Sequence, residues 1–220
     1  MYHLGVRRPG RARRAVAVFA TAGAILAALV VGRQSLLRAA GWMLVADDPI
    51  RPADTIVIAV DAGGAGVLEA ADLVRDGISR RVALLADPAS GVEREFKRRG
   101  IVDESGAARQ TRQLRALGVE DVELIPREVV GTEDEGTALP IWCQARKVRS
   151  VVVISSADHT RRLRRVLRRA MNGSPAAVMV RRSRYSEFDP DCWWRKRSGL
   201  RSGIIELEKL FLDVLRHPVG

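Results

Sequence analysis

Ser150–Met171 reads SVVVISSADHTRRLRRVLRRAM, and this stretch decides the fold. Its first six residues, Ser150–Ser155, are a β-branched apolar run with no alternation, the pattern of a strand buried on both faces. A short polar loop follows. Asp158–Met171 then carries Leu163, Val166, Leu167 and Ala170 at helical spacing, with arginines on the other faces. A doubly buried strand running into an amphipathic helix is the unit of a parallel sheet covered by helices.

The same alternation recurs on both sides. Thr55–Val60, Val82–Ala86, Asp121–Ile125 and Ala176–Arg181 read as further strands. Gly66–Arg75, Val92–Arg99, Ala107–Leu117 and Glu133–Arg146 read as helices, and Pro140 is expected to kink the last of these. A final helix, Gly203–His217, places Leu207, Leu210, Phe211 and Val214 on one face. The fold class that follows is α/β: a Rossmann-like, doubly wound, mostly parallel five-stranded sheet.

Ahead of this domain lies an oily segment. Ala15–Gly32 carries no charge for 18 residues and follows a basic arm, residues 1–14, with five arginines and no acid. An 18-residue helix is roughly 27 Å long, close to the hydrocarbon thickness of a bilayer. The sequence therefore predicts one N-terminal transmembrane helix, with the arm cytoplasmic, a neck over 33–52 and the α/β domain, 53–220, outside the inner membrane. A cleaved signal peptide shares this charge order, and a buried helix of a soluble domain shares the hydropathy. Val30-Val31-Gly32-Arg33 is a poor cleavage site.

The net charge of +11 invites a nucleic-acid reading. The predicted placement argues against it, and favours anionic headgroups or lipid-linked phosphates as the partners of a basic exterior domain. Only three histidines are present and no metal-ligand spacing is found, so no metal site is assigned. Cys143 and Cys192, each beside a tryptophan, fit either a disulfide or two buried thiols.

In a doubly wound sheet, ligands bind beyond the carboxyl ends of the strands. Asp61-Ala62-Gly63-Gly64-Ala65-Gly66 follows the first strand, and its glycines fit either a tight turn or an anion cradle. Thr132 and Glu135 fit a capping box, or a site holding a cation or a substrate hydroxyl. Ser155, Ser156, Asp158, His159 and Arg162 gather hydroxyls, a histidine and an arginine at one helix start, which suits a phosphate. Arg161, Arg164, Arg165, Arg168 and Arg169 read as a solvated basic face. The aromatic stretch Tyr185–Trp194 reads as a lid or as a plug that docks the last helix, the plug preferred.

Several of these residues together resemble a known family. Ala53-Asp54-Thr55-Ile56-Val57-Ile58, the run Glu69–Gly77, Gly131-Thr132-x-x-Glu135, Ile154-Ser155-Ser156-x-Asp158-His159-x-x-Arg162, Trp193-Trp194 and Glu206-Leu207-x-Lys209 are similar to the YdcF/SanA/ElyC-like α/β envelope proteins. The resemblance spans roughly Gly41 to Arg216. It implies a Rossmann-like fold, a setting in envelope integrity, lipid-carrier or peptidoglycan processes, and in one branch S-adenosylmethionine binding. Departures fall where ligand phosphate or ribose would sit: Ala59-Val60-Asp61-Ala62 after the first strand, Leu68 before the Glu-Ala pair, and Ala86-Asp87-Pro88-Ala89 after the second.

The leading expectation is thus a single-pass membrane protein whose exterior domain binds an anionic, lipid-linked phosphate. His159 and Glu135 would be the catalytic pair of a hydrolase or transferase, with Asp61, Gly63, Gly64, Thr132, Ser155, Ser156, Asp158 and Arg162 binding the ligand. The alternatives are a non-enzymatic scaffold with a degenerate site, or an S-adenosylmethionine-binding protein using Asp87. No cofactor is identified.

Overall fold

A computed structural model describes residues 11–101 and 104–218; most of the basic arm, residues 1–10, lies outside the described residues. Five strands form one sheet: β1 Thr55–Ile58, β2 Arg81–Ala86, β3 Asp121–Glu128, β4 Ser150–Ser155 and β5 Ala177–Arg182. Their order is β3-β2-β1-β4-β5, and every neighbouring pair is parallel. In this 3-2-1-4-5 order the winding reverses between β1 and β4.

Helices cover both faces. Ile56, Ile58, Val82, Leu84, Val152 and Ile154 point to one side, under α2 (Gly63–Arg75) and α4 (Gly106–Ala116). Val57, Ala83, Val151 and Val153 point to the other, under α5 (Thr132–Arg146) and α6 (Thr160–Ala170). This alternation is why the middles of the central strands, Ile56–Ile58 and Val151–Ile154, show no polar residue: each position is buried on one face or the other. A short α3 (Gly91–Arg98) lies between β2 and α4, is capped by Ser90 and Glu93, and buries no side chain.

Several elements depart from the sequence reading. Pro140 does not interrupt α5, which runs unbroken because Ala138, Leu139, Trp142 and Cys143 are packed into the core around it. α2 begins at Gly63 rather than Gly66, after a 3-10 turn over Val60–Ala62. Gly66 sits inside the helix because a Cβ there would approach Ile58 to 2.7 Å.

The predicted anchor and neck are not separate segments. One helix, α1, runs from Arg11 to Leu44, since Gln34–Leu44 contains no breaker before Asp47-Asp48-Pro49. Among the described residues no single helix is long and apolar enough to cross a membrane. Ala15–Ile25 and Val30–Leu44 meet that test only together, as halves bent by 43°. The apolar side chains of the first half are bare, Phe19 being 78 % exposed. The last turns of α1 belong to the domain, where Leu44 and Val45 join Phe188, Trp193 and Leu210 in a third cluster.

α7 (Arg197–Arg216) also differs. Of the four apolar residues expected to face inward, Leu210 is buried and Leu207 partly so, whereas Phe211 is 62 % exposed and Val214 is exposed. The stripe that faces inward is Gly199, Gly203, Glu206, Leu210 and Asp213. The glycines let the helix press against Trp193, and the two acids reach arginines of α6. Those arginines are not a solvated face. Arg165 and Arg169 bind Asp213, Arg164 and Arg168 bind Asp48, and Arg161 donates to the Val45 carbonyl at 2.6 Å. The aromatic stretch is a plug: Trp193 is buried against Phe188 and donates to the Leu37 carbonyl at 2.7 Å.

Candidate functional site at the carboxyl ends of β1 and β4

The two strands that flank the reversal of winding deliver polar side chains to a common point. Asp61 lies in the turn after β1, and Ser155 ends β4. The Asp61 carboxylate accepts from Ser155 Oγ at 2.9 Å, from the Ser156 amide at 2.9 Å and from Ser156 Oγ at 2.5 Å.

Glu135 arrives from the first turn of α5. The capping box expected of Thr132 and Glu135 does not form. Gly131, at φ +84°, occupies the N-cap position and makes Thr132 the first helical residue. Glu135 is thereby free to reach across the sheet, where it accepts from the Val60 amide at 3.0 Å. It is only 3 % exposed. Burial, and then the negative charge of Asp61, push its pKa up to about 7. Two carboxyls thus share one site: Asp61, held by three donors, and Glu135, which keeps its proton to near neutrality.

Behind them is a buried network. His159 Nε2 is 3.1 Å from Thr132 Oγ1, and its Nδ1 is 3.0 Å from Glu206 Oε2. Arg162 binds Glu206 at 2.9 Å and donates to Thr132 Oγ1 at 2.6 Å, while Lys209 donates to Glu206 at 2.9 Å. His159 Nδ1 also lies 2.9 Å from an Arg162 nitrogen. Both cannot donate to each other, so the carboxylate assigns a proton to Nδ1. Burial lowers the His159 pKa, but the charge of Asp61 and the bond to Glu206 outweigh it and leave the pKa raised. Burial likewise opposes ionisation of Glu206, but His159 and Arg162 hold its pKa well below the usual carboxylate range.

Of the residues singled out in the sequence, Asp61, Ser155 and Ser156 therefore form one cluster, with Glu135 against it. Thr132, His159 and Arg162 form the layer behind. Gly63 and Gly64 open α2 with nothing within 4 Å of their Cβ positions, and do not join either group. Asp158 stands apart and lines a cavity of about 310 Å3 with Asp61, Ser156, Ser186, Glu187 and Ser202. Glu206 was not identified as a site residue. It is 44 positions from Arg162 on a helix read for its apolar face, and its signal was its recurrence with Lys209 in the family pattern.

The donors expected to hold an anion are occupied from within: the serines by Asp61, and Arg162 by Glu206 and Thr132. Asp87 lines a larger cavity, about 640 Å3, with Leu124, Ile125 and Pro126 at the ends of β2 and β3. None of the clustered side chains reaches it; the titratable chemistry lies at the β1–β4 junction.

A comparison of the chain with protein-family models, with curated proteins and with solved structures finds no match.

Proposed function

We propose that this is a membrane-tethered α/β enzyme, similar to the YdcF/SanA/ElyC-like envelope proteins, that carries out hydrolysis or group transfer on a hydroxyl-bearing envelope precursor. The observation that carries the reading is the carboxyl pair. Glu135 is buried and poised near pH 7 beside the Asp61 carboxyl, which three donors hold in place. A carboxyl whose pKa lies near the working pH is suited to move a proton in a reaction, and Asp61 beside it is one cause of that shift. His159 is the positioning group behind Thr132, oriented by Glu206. The convergence on one network of Thr132, His159, Arg162, Glu206 and Lys209, drawn from three distant stretches, supports the family resemblance.

The bare apolar side chains of α1 support insertion of Ala15–Gly32 in the inner membrane, with the domain on the exterior side. Alkaline extraction of membranes tests this: the full chain should stay with the lipid, and a chain lacking residues 1–32 should be released. Release of the full chain would overturn the tether.

A second reading is favoured by the three donors that surround the Asp61 carboxylate. A phosphate would find the same donors if Asp61 swung out. Thermal melting of the detergent-solubilised full chain with polyprenyl phosphate, nucleotide sugars and S-adenosylmethionine distinguishes the two. Under the second reading Asp61→Ala strengthens the phosphate response. Under the first, Asp61→Ala abolishes turnover and leaves phosphate without effect. Silence from every ligand, with no turnover, would favour a non-enzymatic scaffold.

A further inference from the structure

The cavity beside Asp61 contains a charge that the fold does not use. Asp158 is 9 % exposed, and its carboxylate has no hydrogen-bond or ion-pair partner among the described residues. The ordinary task of an aspartate ahead of a helix is to cap it. Asp158 does not: His159 holds the N-cap position of α6, and no side chain caps that end. The Asp158 oxygens are not among the enclosed atoms that lack a partner; they open onto the cavity that Asp158 lines, where a donor arriving from outside can take the place of water.

The lining says which donor. Asp61, Asp158 and Glu187 contribute three carboxylates, Ser156, Ser186, Ser198 and Ser202 contribute hydroxyls, and the lining holds no lysine, arginine or histidine. Ser186 Oγ already accepts from the Ala157 and Phe188 amides, which leaves its own proton to donate. Ala62, Ala65 and Phe188 supply an apolar wall. An anion is disfavoured here by like charge. Among the described residues no group of three acidic, histidine or cysteine side chains is placed to hold a metal ion. At about 310 Å3 the space is at the small end of ligand pockets, roughly 300–1,000 Å3.

We propose that this cavity binds a small hydroxylated primary amine. Its ammonium group bonds to Asp158 with Glu187 beside it, as a charge-assisted pair, and its hydroxyls bond to the serines. Because Asp61 forms part of the same wall, the bound molecule lies next to the carboxyl pair. The inference rests on the lining of the cavity and stands whether or not Glu135 transfers a proton.

Saturation-transfer NMR on the detergent-solubilised full chain tests it at neutral pH, with glucosamine, ethanolamine, glucose and glucose 6-phosphate as probes. The two amines should receive saturation and the neutral and anionic sugars should not. Asp158→Asn should reduce the amine signals to the level of glucose. Ethanolamine equal to glucosamine assigns the site to a headgroup-type amine, and glucosamine the stronger assigns it to an amino sugar. Amines no stronger than glucose, or a signal that survives Asp158→Asn, would overturn the proposal. Without ligand, Asp158→Asn should melt at or above the wild-type temperature. A lower melting temperature would mean the carboxylate has a structural role, and would also overturn it. No step of the assay reads turnover, so failure of the acid–base reading leaves these outcomes unchanged.

Discussion

Replacing Glu135 by glutamine should stabilise the protein above neutral pH and leave it nearly unchanged in acid. The pKa of Glu135 is raised from 4.5 to about 7 in the folded chain. Between those values the native state keeps a proton that the unfolded chain has released. Stability contributed by this group is therefore full below about pH 4.5, falls as the pH rises through 7, and then levels. The fully developed penalty is about 3 kcal/mol. Glutamine retains the oxygen that accepts from the Val60 amide and cannot ionise. For a chain of this size that corresponds to a rise in melting temperature of about 6–12 °C. The assay is a pH series of melting curves for wild type and Glu135→Gln in the same detergent. The gap should open as the pH passes 4.5 and level off above 7. Curves that stay parallel, or a variant that melts lower at alkaline pH, would refute the assignment of a retained proton to Glu135.

Other consequences follow from the packing around the site. Arg162→Ala removes a partner from the buried Glu206, and should cost about 3 kcal/mol, read as a lower melting temperature. Gly203→Ala places a Cβ 2.5 Å from the Trp193 ring; it should destabilise by about 1–3 kcal/mol and alter tryptophan fluorescence. Cys143 is buried, and burial followed by the charge of Asp54 pushes its thiol up to about 11. Cys143 and Cys192 are both free thiols. A thiol reagent should therefore label one cysteine per native chain, and the second only after denaturation.

The sheet was legible because Ile56–Ile58 and Val151–Ile154 are unbroken apolar runs, as strands covered on both faces are. The gathering of Asp61, Ser155 and Glu135 was legible for the same reason, since the topology alone brings those loops together. What could not be read was which polar group answers which. Thr132 looked like a cap, yet a glycine at positive φ one residue earlier removes it from that role. The arginines of α6 looked solvated, because their partners Asp48 and Asp213 are more than forty residues away in sequence. The inward face of α7 was misread for a related reason. Glycine and paired acids have low hydropathy, so a stripe of Gly199, Gly203, Glu206 and Asp213 does not register as core.

The way α1 ends sets how the segment before it bears on the rest. Trp193 is held by the Leu37 carbonyl, and Gly41 is so close to Pro190 and Trp193 that a Cβ there would collide with both. Trp193 stacks on Phe188, and Phe188 is a wall of the cavity that Asp158 lines. A helix joined in this way is a lever rather than a leash. A tilt of the half that follows its bend, Val30–Leu44, is delivered to Trp193, and through one aromatic contact to the space beside Asp158. The end of α1 and the cavity are thus mechanically in series, joined through Trp193 and Phe188.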